Sequence, residues 1–282
     1  MKKSATKKKA ISSPKPFLRW AGGKNWLIKH LEGPLKDFNF NNYHEPFLGG
    51  ASVFLFVKPK NRAFLSDINP ELINTYRVVK GYVEELIAIL REYRNNKSFY
   101  YALRDQSMKG KVERAARFIY LNQTSFNGIY RENLNGIYNV PFGFRRKDFL
   151  DEGNLRLFSS RLQKTKFTTC SFSETLESVE KGDLVFLDPP YTVSHNNNGF
   201  IKYNRKLFSL GDQTELAGYV SSVLSKGAYF ILSNAAHKKI DEIFGTVGHK
   251  VRLRRASLIG GSDAERGKVS EYLFTNIPTF CK

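Results

Sequence analysis

Short runs of consecutive apolar residues alternate along this chain with longer segments in which apolar residues recur every three or four positions. The runs DLVFLD and AYFILSN, which begin at Asp183 and Ala228, are compact and mostly apolar, a pattern typical of strands buried in a parallel sheet. Between them, the segment LGDQTELAGYVSSVLSKG has helical spacing and ends on Gly227. Strand, helix and strand in this order predict a doubly wound α/β fold.

The same signals occur nearer the N-terminus. NNYHEPFLGG predicts a short strand that runs into a glycine turn, and the following ASVFLF begins a helix. NRAFLSDIN is a second apolar run that ends on an acid, Asp67, and the segment from Pro70 onward has helical spacing. Near the C-terminus, KVSEYLFTN is a further strand candidate.

Residues 76–167 differ in character from the segments on either side. They are rich in Arg, Lys, Asn and Tyr, and their spacing is mostly helical until NGIYRENLNGIYNVPFG, where two Asn-Gly pairs and a proline predict turns and a β-hairpin. We therefore expect a mainly helical module at 76–167, inserted into an α/β domain formed by residues 16–75 and 168–282.

The net charge of the chain indicates what kind of binding partner it has. The 282 residues include 45 basic and 26 acidic side chains, a formal net charge of +19. This balance indicates a polyanionic partner, in the first place nucleic acid, although charge that serves only solubility gives the same count. Residues 1–15 are lysine-rich, and we expect them to be a disordered basic tail. Phosphate contacts and a solubilising role both remain open for this tail.

Cysteine count and hydropathy exclude several classes of protein. Cys170 and Cys281 are the only cysteines, which excludes a disulfide framework and fits a reducing compartment. The five histidines lack ligand spacing, so we expect no metal. No segment approaches the roughly 18 apolar residues that a membrane helix needs. No apolar segment follows the N-terminal lysines as in a secretory signal.

Glycines and an acid at the predicted strand ends are candidate ligand-binding residues, because ligands of doubly wound sheets bind beyond the carboxyl ends of the strands. Gly49 and Gly50 tolerate positive φ and allow a ligand close to the backbone; a plain turn is the alternative. Asp67 follows Gly49 by 18 residues, near the spacing at which an acid binds ribose hydroxyls. Its alternative role is a helix cap before Pro70. Together these residues predict an adenosyl group in the cleft.

The DPPY segment after the run that begins at Asp183 has the composition of a binding site for a planar ring with an exocyclic amino group. Asp188 and the carbonyl of Pro189 present acceptors, because neither Pro189 nor Pro190 has an N–H. Tyr191 offers a flat face on which a base can stack. Two acceptors favour a tetrahedral amino nitrogen and stabilise the positive charge that develops on it. The alternative is a Pro-Pro turn followed by a core tyrosine.

Six segments occur in the order found in Dam-like DNA adenine-N6 methyltransferases, and the chain resembles this family over about residues 16–276. The segments are LRWAGGK, EPFLGGASVF, LSDINPELI, NQTSFNGIYRENLNGIYNVPFG, DLVFLDPPY and YFILSN. The resemblance implies a Rossmann-like methyltransferase sheet in which residues 76–167 form the target-recognition domain.

The resemblance also implies the reaction. The methyl donor would be S-adenosylmethionine, with S-adenosylhomocysteine as product, and the substrate would be double-stranded DNA from which an adenine is flipped out, within GATC. We expect a cytoplasmic, nucleoid-associated monomer of bacterial or phage/prophage type, with no membrane or metal partner. Catalysis would rest on positioning and electrostatics.

The resemblance assigns roles residue by residue. The implied catalytic residues are Asp188, Pro189, Pro190 and Tyr191. The implied cofactor-binding residues are Trp20, Lys24, Glu45, Phe47, Gly49, Gly50, Asp67 and Asp188. The alternatives are a core role for Trp20 and a surface charge at Lys24.

Five residues would contact DNA: Arg19, Phe126, Asn127, Arg131 and Pro141. Phe126 matches an aromatic residue that can wedge into the base stack. Arg131 matches an arginine that contacts guanine O6 and N7, with a phosphate contact or a solvated face as the alternative. Arg19 stands where the family often has lysine, and its partner would be phosphate or a base.

Two departures from the family pattern bear on this assignment. Ala51 takes the place of a third glycine after EPFLGG, and Phe144-Arg145 replaces an Arg-Tyr pair after NVPFG. The second change puts one target contact, and the site preference, in doubt.

Two other functions use some of the same features. An RNA methyltransferase that acts on an exocyclic amine would fit the DPPY segment and the charge, but it leaves the insert unexplained. A non-catalytic DNA-binding relic would have no need of the catalytic-type residues. The sequence leaves open whether the protein serves restriction-modification, an orphan role or a mobile element.

Overall fold

The computed structural model describes residues 13–128, 130–131, 133, 138–145, 148–192, 208–256 and 268–281. Within these ranges seven strands form one sheet: β1 (Tyr43–Glu45), β2 (Ala63–Asp67), β3 (Thr165–Thr169), β4 (Leu184–Leu187), β5 (Tyr229–Ala235), β6 (His249–Ala256) and β7 (Lys268–Thr275). The α-helices are α1 (Asn25–Leu35), α2 (Ser52–Val57), α3 (Pro70–Gly81), α4 (Val83–Arg91), α5 (Lys97–Asp105), α6 (Lys111–Thr124), α7 (Glu152–Arg161), α8 (Leu210–Ser225) and α9 (Lys238–Phe244).

The sheet has the strand order β3-β2-β1-β4-β5-β7-β6. The first five of these strands are parallel to their neighbours, whereas β7 runs antiparallel to both β5 and β6. The chain proceeds from β1 to β2 on one side, while β4 lies on the other side of β1, so the winding reverses between β1 and β4. The carboxyl ends of two parallel strands diverge at such a point and leave a crevice for a ligand.

The structure confirms the α/β fold. DLVFLD and AYFILSN form β4 and β5, which pair in parallel with Leu184 opposite Tyr229, and all four residues of β4 are buried. The helix between them, α8, ends before Gly227, whose φ of +72° is suited to glycine. KVSEYLFTN contributes β7, the antiparallel strand. Two strands, β3 and β6, were not predicted.

The described part of residues 76–167 contains the end of α3 and the helices α4 to α7. Its helices share one buried core with the sheet: Tyr100 of α5 and Tyr120 of α6 belong to the same apolar cluster as Leu65 of β2. The predicted domain limits fall inside α3 and β3. Division into two domains therefore remains a prediction.

Part of the predicted β-hairpin lies outside the described residues. Its base is described: Ser125 and Phe142 form an antiparallel bridge, and Asn139 N donates to Arg131 O over 3.2 Å. Most of the predicted tail, residues 1–12, also lies outside the described ranges.

Candidate active site at the carboxyl ends of the parallel strands

The glycine turn after β1 is held tightly between two aromatic side chains. Gly49 has a φ of +46°, and a Cβ there would lie 2.8 Å from Cδ1 of Trp20, so only glycine fits under this indole. On the other side, the Tyr76 hydroxyl donates to the Gly49 carbonyl over 2.8 Å. Ala51 has a φ of 56°. The turn therefore keeps its left-handed backbone although alanine replaces the third glycine.

Trp20 connects the turn to the insert. Its ring stacks on Phe118 of α6, with centroids 6.3 Å apart, and on Tyr130, with centroids 5.7 Å apart. Trp20 is half-buried. The tryptophan is therefore part of the core and also covers the Gly49-Gly50 backbone, since a Cβ at Gly50 would lie 3.2 Å from the Trp20 Cβ.

Asp67 closes the turn from the end of β2. Its Oδ2 accepts from Gly49 N over 3.1 Å and its Oδ1 from Asn69 N over 3.0 Å. The cap of α3 is Asn69, whose side chain accepts from two backbone N–H groups of the first turn. The predicted alternative role of Asp67 as the helix cap is therefore wrong. Burial raises the pKa of Asp67, and these backbone N–H donors partly offset that rise.

Sequence reasoning missed Ile68, which follows Asp67 directly. Its side chain is 77% exposed, the largest exposure among the large apolar residues that the structure describes. An exposed apolar side chain next to a carboxylate supplies both a surface for a flat ring and an acceptor for hydroxyl groups. The only local signal was an isoleucine placed just before an Asn-Pro helix start.

Lys24 and Asp188 form an ion pair at the end of β4. Lys24 Nζ lies 2.9 Å from Asp188 Oδ1 and 4.8 Å from the ring centroid of Tyr191. The Lys24 residue is 4% exposed, so it is not the solvated surface charge of the alternative interpretation. The Lys24 ammonium group thus contacts both the Asp188 carboxylate and the Tyr191 ring. These are the two groups that the sequence predicts to bind the amino group and the ring of a substrate base.

Two residues that sequence reasoning missed support this pair. Ser233 of β5 donates to Asp188 Oδ1 over 2.8 Å. The hydroxyl of Tyr191 donates to the carboxylate of Glu271 on β7, which is 1% exposed. Burial raises the pKa of Asp188; Lys24 and Ser233 counteract this, whereas the Glu271 charge adds to it. A lone acid inside the apolar run KVSEYLFTN was the only available signal for Glu271.

Glu45 and Phe47 occupy less open positions. Glu45 is 3% exposed and accepts from the Tyr43 hydroxyl over 2.7 Å. Burial raises the pKa of Glu45 to about 8, so the group is largely neutral at pH 7. Phe47 stacks on Phe172 with ring centroids 5.5 Å apart. Pro189 is buried, and Pro190 is half-buried.

Three of the predicted DNA-contacting residues lie together on one turn. Phe126 N donates to Pro141 O over 2.9 Å, and Asn127 follows with a φ of 55°. All three are exposed, Phe126 by 53%. Phe144, one of the two residues that depart from the family pattern, is 71% exposed. Two aromatic rings therefore project from this surface, whereas sequence reasoning identified one.

Arg131 and Arg19 both belong to the neighbourhood of this turn: Arg131 O accepts from Asn139 N, and Arg19 Nη1 donates to Ser125 O over 3.4 Å. Arg131 is exposed, and its Nε donates to Asn139 Oδ1 over 2.9 Å. Arg19 is half-buried, and its backbone N–H and C=O both bond to the side-chain amide of Asn122 on α6 over 2.7 Å. Burial lowers the pKa of Arg19, and the nearby charge of Arg145 lowers it further. Arg19 thus connects the segment that precedes Trp20 to α6 of the insert.

Two features are absent from the described ranges. They contain no group of three or more His, Cys, Asp and Glu side chains that could hold a metal ion. None of the helices there is long and apolar enough to cross a membrane.

Comparison with known proteins identifies the family. The family model described as D12 class N6 adenine-specific DNA methyltransferase matches residues 20–257. The Type II methyltransferase M1.LlaDCHI of Lactococcus lactis subsp. cremoris is 32% identical over 274 residues, 93% of this chain and 95% of the relative. M.MjaIII of Methanocaldococcus jannaschii is 36% identical, over 78% and 84%. The DNA adenine methylase of Haemophilus influenzae is 34% identical over 92% of each chain. The chain belongs to the D12 class of N6 adenine-specific DNA methyltransferases.

Proposed function

We propose that this chain transfers the methyl group of S-adenosylmethionine to N6 of an adenine flipped out of duplex DNA, within the sequence GATC. The observation that carries the proposal is the position of Lys24. Its ammonium group lies 2.9 Å from Asp188 and 4.8 Å from the Tyr191 ring, and an adenine amino group needs the same acceptor and the same stacking surface. Lys24 contacts only Oδ1 of Asp188, which leaves Oδ2 to accept from the amino group.

The residues at the ends of β1 and β2 fit an S-adenosyl compound. The Asp67 carboxylate is half-buried beside the exposed Ile68 side chain, an arrangement that suits ribose hydroxyls and an adenine ring. The glycine turn brings backbone close to the same crevice without a side chain at Gly49. When bound, S-adenosylmethionine supplies a methyl group made electrophilic by its sulfonium centre.

The chain's own residues supply the remaining chemistry. Asp188 and the carbonyl of Pro189 accept hydrogen bonds from the amino group, which directs the nitrogen lone pair out of the ring plane. The same acceptors stabilise the positive charge that develops on nitrogen as the methyl group arrives. Tyr191 stacks on the base, and its hydroxyl donates a hydrogen bond to the Glu271 carboxylate. The excess proton leaves to water after transfer.

The exposed turn of the insert is suited to DNA recognition. Phe126 and Phe144 fill the space that the flipped base leaves, while Asn127 and Pro141 contact the duplex nearby. Arg131 donates through Nε to Asn139, which orients the guanidinium plane so that its terminal amino groups address guanine O6 and N7. Arg19, between this surface and the cofactor side, contacts phosphate or a base.

The RNA alternative is not favoured. The family is defined by action on DNA, and the relatives named above are DNA adenine methylases and Type II methyltransferases.

Expression in a host without adenine methylation tests the proposal. Genomic DNA should then contain N6-methyladenine by mass spectrometry and should resist an endonuclease that methylation of GATC blocks. Absence of N6-methyladenine would overturn the proposed reaction. N6-methyladenine in DNA that is still cut at every GATC would overturn the target sequence alone.

Arg131→Ala tests the recognition role. Loss of a bidentate guanine contact should cost about 1–3 kcal/mol of discrimination, measured as the ratio of methylation rates on GATC and on duplexes with the guanine replaced. Arg161→Ala is the matched control, since Arg161 lines a pocket with Ala63 and Thr165 at the amino ends of β2 and β3, whereas the site lies at the carboxyl ends. An unchanged ratio in the Arg131 variant would show that this side chain does not recognise guanine.

A further inference from the structure

The Pro-Pro segment lacks the usual means of being held in place. Pro189 and Pro190 have no N–H to donate, so hydrogen bonds can fix their peptide planes only through the carbonyl groups. The proposed reaction requires one of these carbonyls, that of Pro189, to face the substrate. No described residue donates to the Pro189 carbonyl. Some group must therefore hold the segment through the next carbonyl.

Gln213 of α8 supplies that contact. Its side chain is fully buried, and its Nε2 donates to Thr192 Oγ1 over 3.1 Å and to the Pro190 carbonyl over 3.5 Å. The Thr192 hydroxyl in turn donates to Phe208 O over 2.9 Å. One amide group therefore contacts Pro190 within the DPPY segment and Thr192, the residue that follows the segment.

Asn234 of β5 determines which way the Gln213 amide faces. Asn234 Oδ1 accepts from Ala235 N over 2.8 Å, which leaves Asn234 Nδ2 to donate to Gln213 Oε1 over 2.9 Å. Because Oε1 is occupied in this way, Nε2 faces Thr192 and Pro190. Asn234 and Gln213 are both 0% exposed, so water does not compete for these bonds.

Stability alone does not require a glutamine here. A buried hydrogen-bonded amide pair contributes little net stability, and replacing both Gln213 and Asn234 by apolar side chains of similar shape would be nearly neutral. What an apolar residue cannot do is fix the direction of a carbonyl. The polar pair is therefore best explained by orientation.

We infer that Gln213 is a positioning residue for methyl transfer, which ties down the Pro190 carbonyl so that the Pro189 carbonyl faces the substrate amino group. The inference rests on the proposed function. It assigns a role to a residue that touches neither cofactor nor DNA base in that proposal.

Two substitutions test the inference in the full-length protein. Gln213→Met keeps the length and removes the donor. Gln213→Glu keeps the acceptor for Asn234 but replaces the donor with a carboxyl group, whose pKa burial should raise; only the protonated form can donate to Pro190. Thr165→Val is the matched control, because it removes a buried hydroxyl that bonds to Leu162 O at the far edge of the sheet.

The readouts are the single-turnover methyl-transfer rate, the affinities for DNA and S-adenosylhomocysteine, and the pH profile. Gln213→Met should slow transfer by about 10- to 100-fold, the effect of a misplaced catalytic group, while both affinities change by less than about twofold. The rate of Gln213→Glu relative to wild type should recover as the pH falls. Thr165→Val should retain the wild-type rate.

Three outcomes would count against this role. A wild-type rate for Gln213→Met, or a loss that only follows the fraction of folded protein, would overturn the inference while leaving an active wild type and the proposed function intact. A flat pH profile of Gln213→Glu relative to wild type would also overturn it. Absence of transfer by the wild type would overturn the proposed function itself.

Discussion

The two ends of β4 carry the same kind of pair with different consequences. Asp183 precedes the strand and is paired with His44, and Asp188 follows it and is paired with Lys24. Each aspartate lies within 3 Å of a basic nitrogen. The comparison separates a carboxylate that serves the fold from one that is placed to serve chemistry.

At the amino end of β4, both carboxylate oxygens of Asp183 accept two hydrogen bonds each. Its Oδ1 accepts from the backbone and side chain of Asn42, and its Oδ2 from Glu180 N and from His44 at 2.7 Å. The side chain is 0% exposed. Burial alone would raise the pKa of Asp183, but the bonds from His44, Asn42 and Glu180 outweigh it and the pKa is lowered.

At the carboxyl end, Asp188 is only partly satisfied. Lys24 and Ser233 both contact Oδ1, and no bond to Oδ2 is formed within the described ranges. The side chain is 20% exposed, and burial raises its pKa. A carboxylate with an unused acceptor facing a crevice is available to a substrate; one with four donors is not.

Asp188→Asn should produce the largest effect. It replaces one acceptor by an amide and should lower the single-turnover methyl-transfer rate by on the order of 10²- to 10³-fold or more, because the charge on the developing cation loses its partner. Affinity for DNA should remain. A variant that turns over at the wild-type rate would refute the role of this end of β4.

Asp183→Asn should instead destabilise the fold. Both carboxylate oxygens accept hydrogen bonds from buried or partly buried donors, and each donor left unpaired by the amide costs about 1–3 kcal/mol, measured by urea unfolding. Transfer per folded molecule should stay near wild type below the unfolding transition. The comparison fails if this variant keeps full stability, or if it loses catalysis while remaining folded.

Substitution of Glu45, which lies on the neighbouring strand β1, should have an effect on stability that depends on pH. Its folded-state pKa is raised from 4.5 to about 8, so the protonated form stabilises the fold fully below the ordinary value. That contribution is lost as the pH rises toward the folded-state value. Glu45→Gln should therefore gain stability relative to wild type between about pH 5 and about pH 8.5, by up to about 4 kcal/mol. An equal difference in unfolding free energy between Glu45→Gln and wild type at both pH values would contradict this prediction.

The sequence was sufficient for the central strands and for the residues next to them. β4 and β5 are buried on both faces, so they appear as apolar runs, and DPPY follows one of them directly. The two strands that were not predicted, β3 and β6, are the edges of the sheet. Edge strands expose polar side chains, as in TKFTT and HKVRLRRA, and so lack the apolar run.

The supporting residues of the site could not be predicted for a different reason. Glu271 reaches Tyr191 because β7 inserts antiparallel between β5 and β6. Ser233 reaches Asp188 because β5 pairs in parallel with β4. Gln213 reaches Pro190 because α8 packs under the loop. These contacts join residues 23 to 80 positions apart, and no local pattern encodes them.

A crystal structure with S-adenosylhomocysteine tests the central claim most directly. The account predicts the ribose hydroxyls at Asp67, the adenine ring against Ile68 and the sulfur atom facing the Asp188–Tyr191 segment. The account is contradicted if the compound binds at a place remote from residues 188–191.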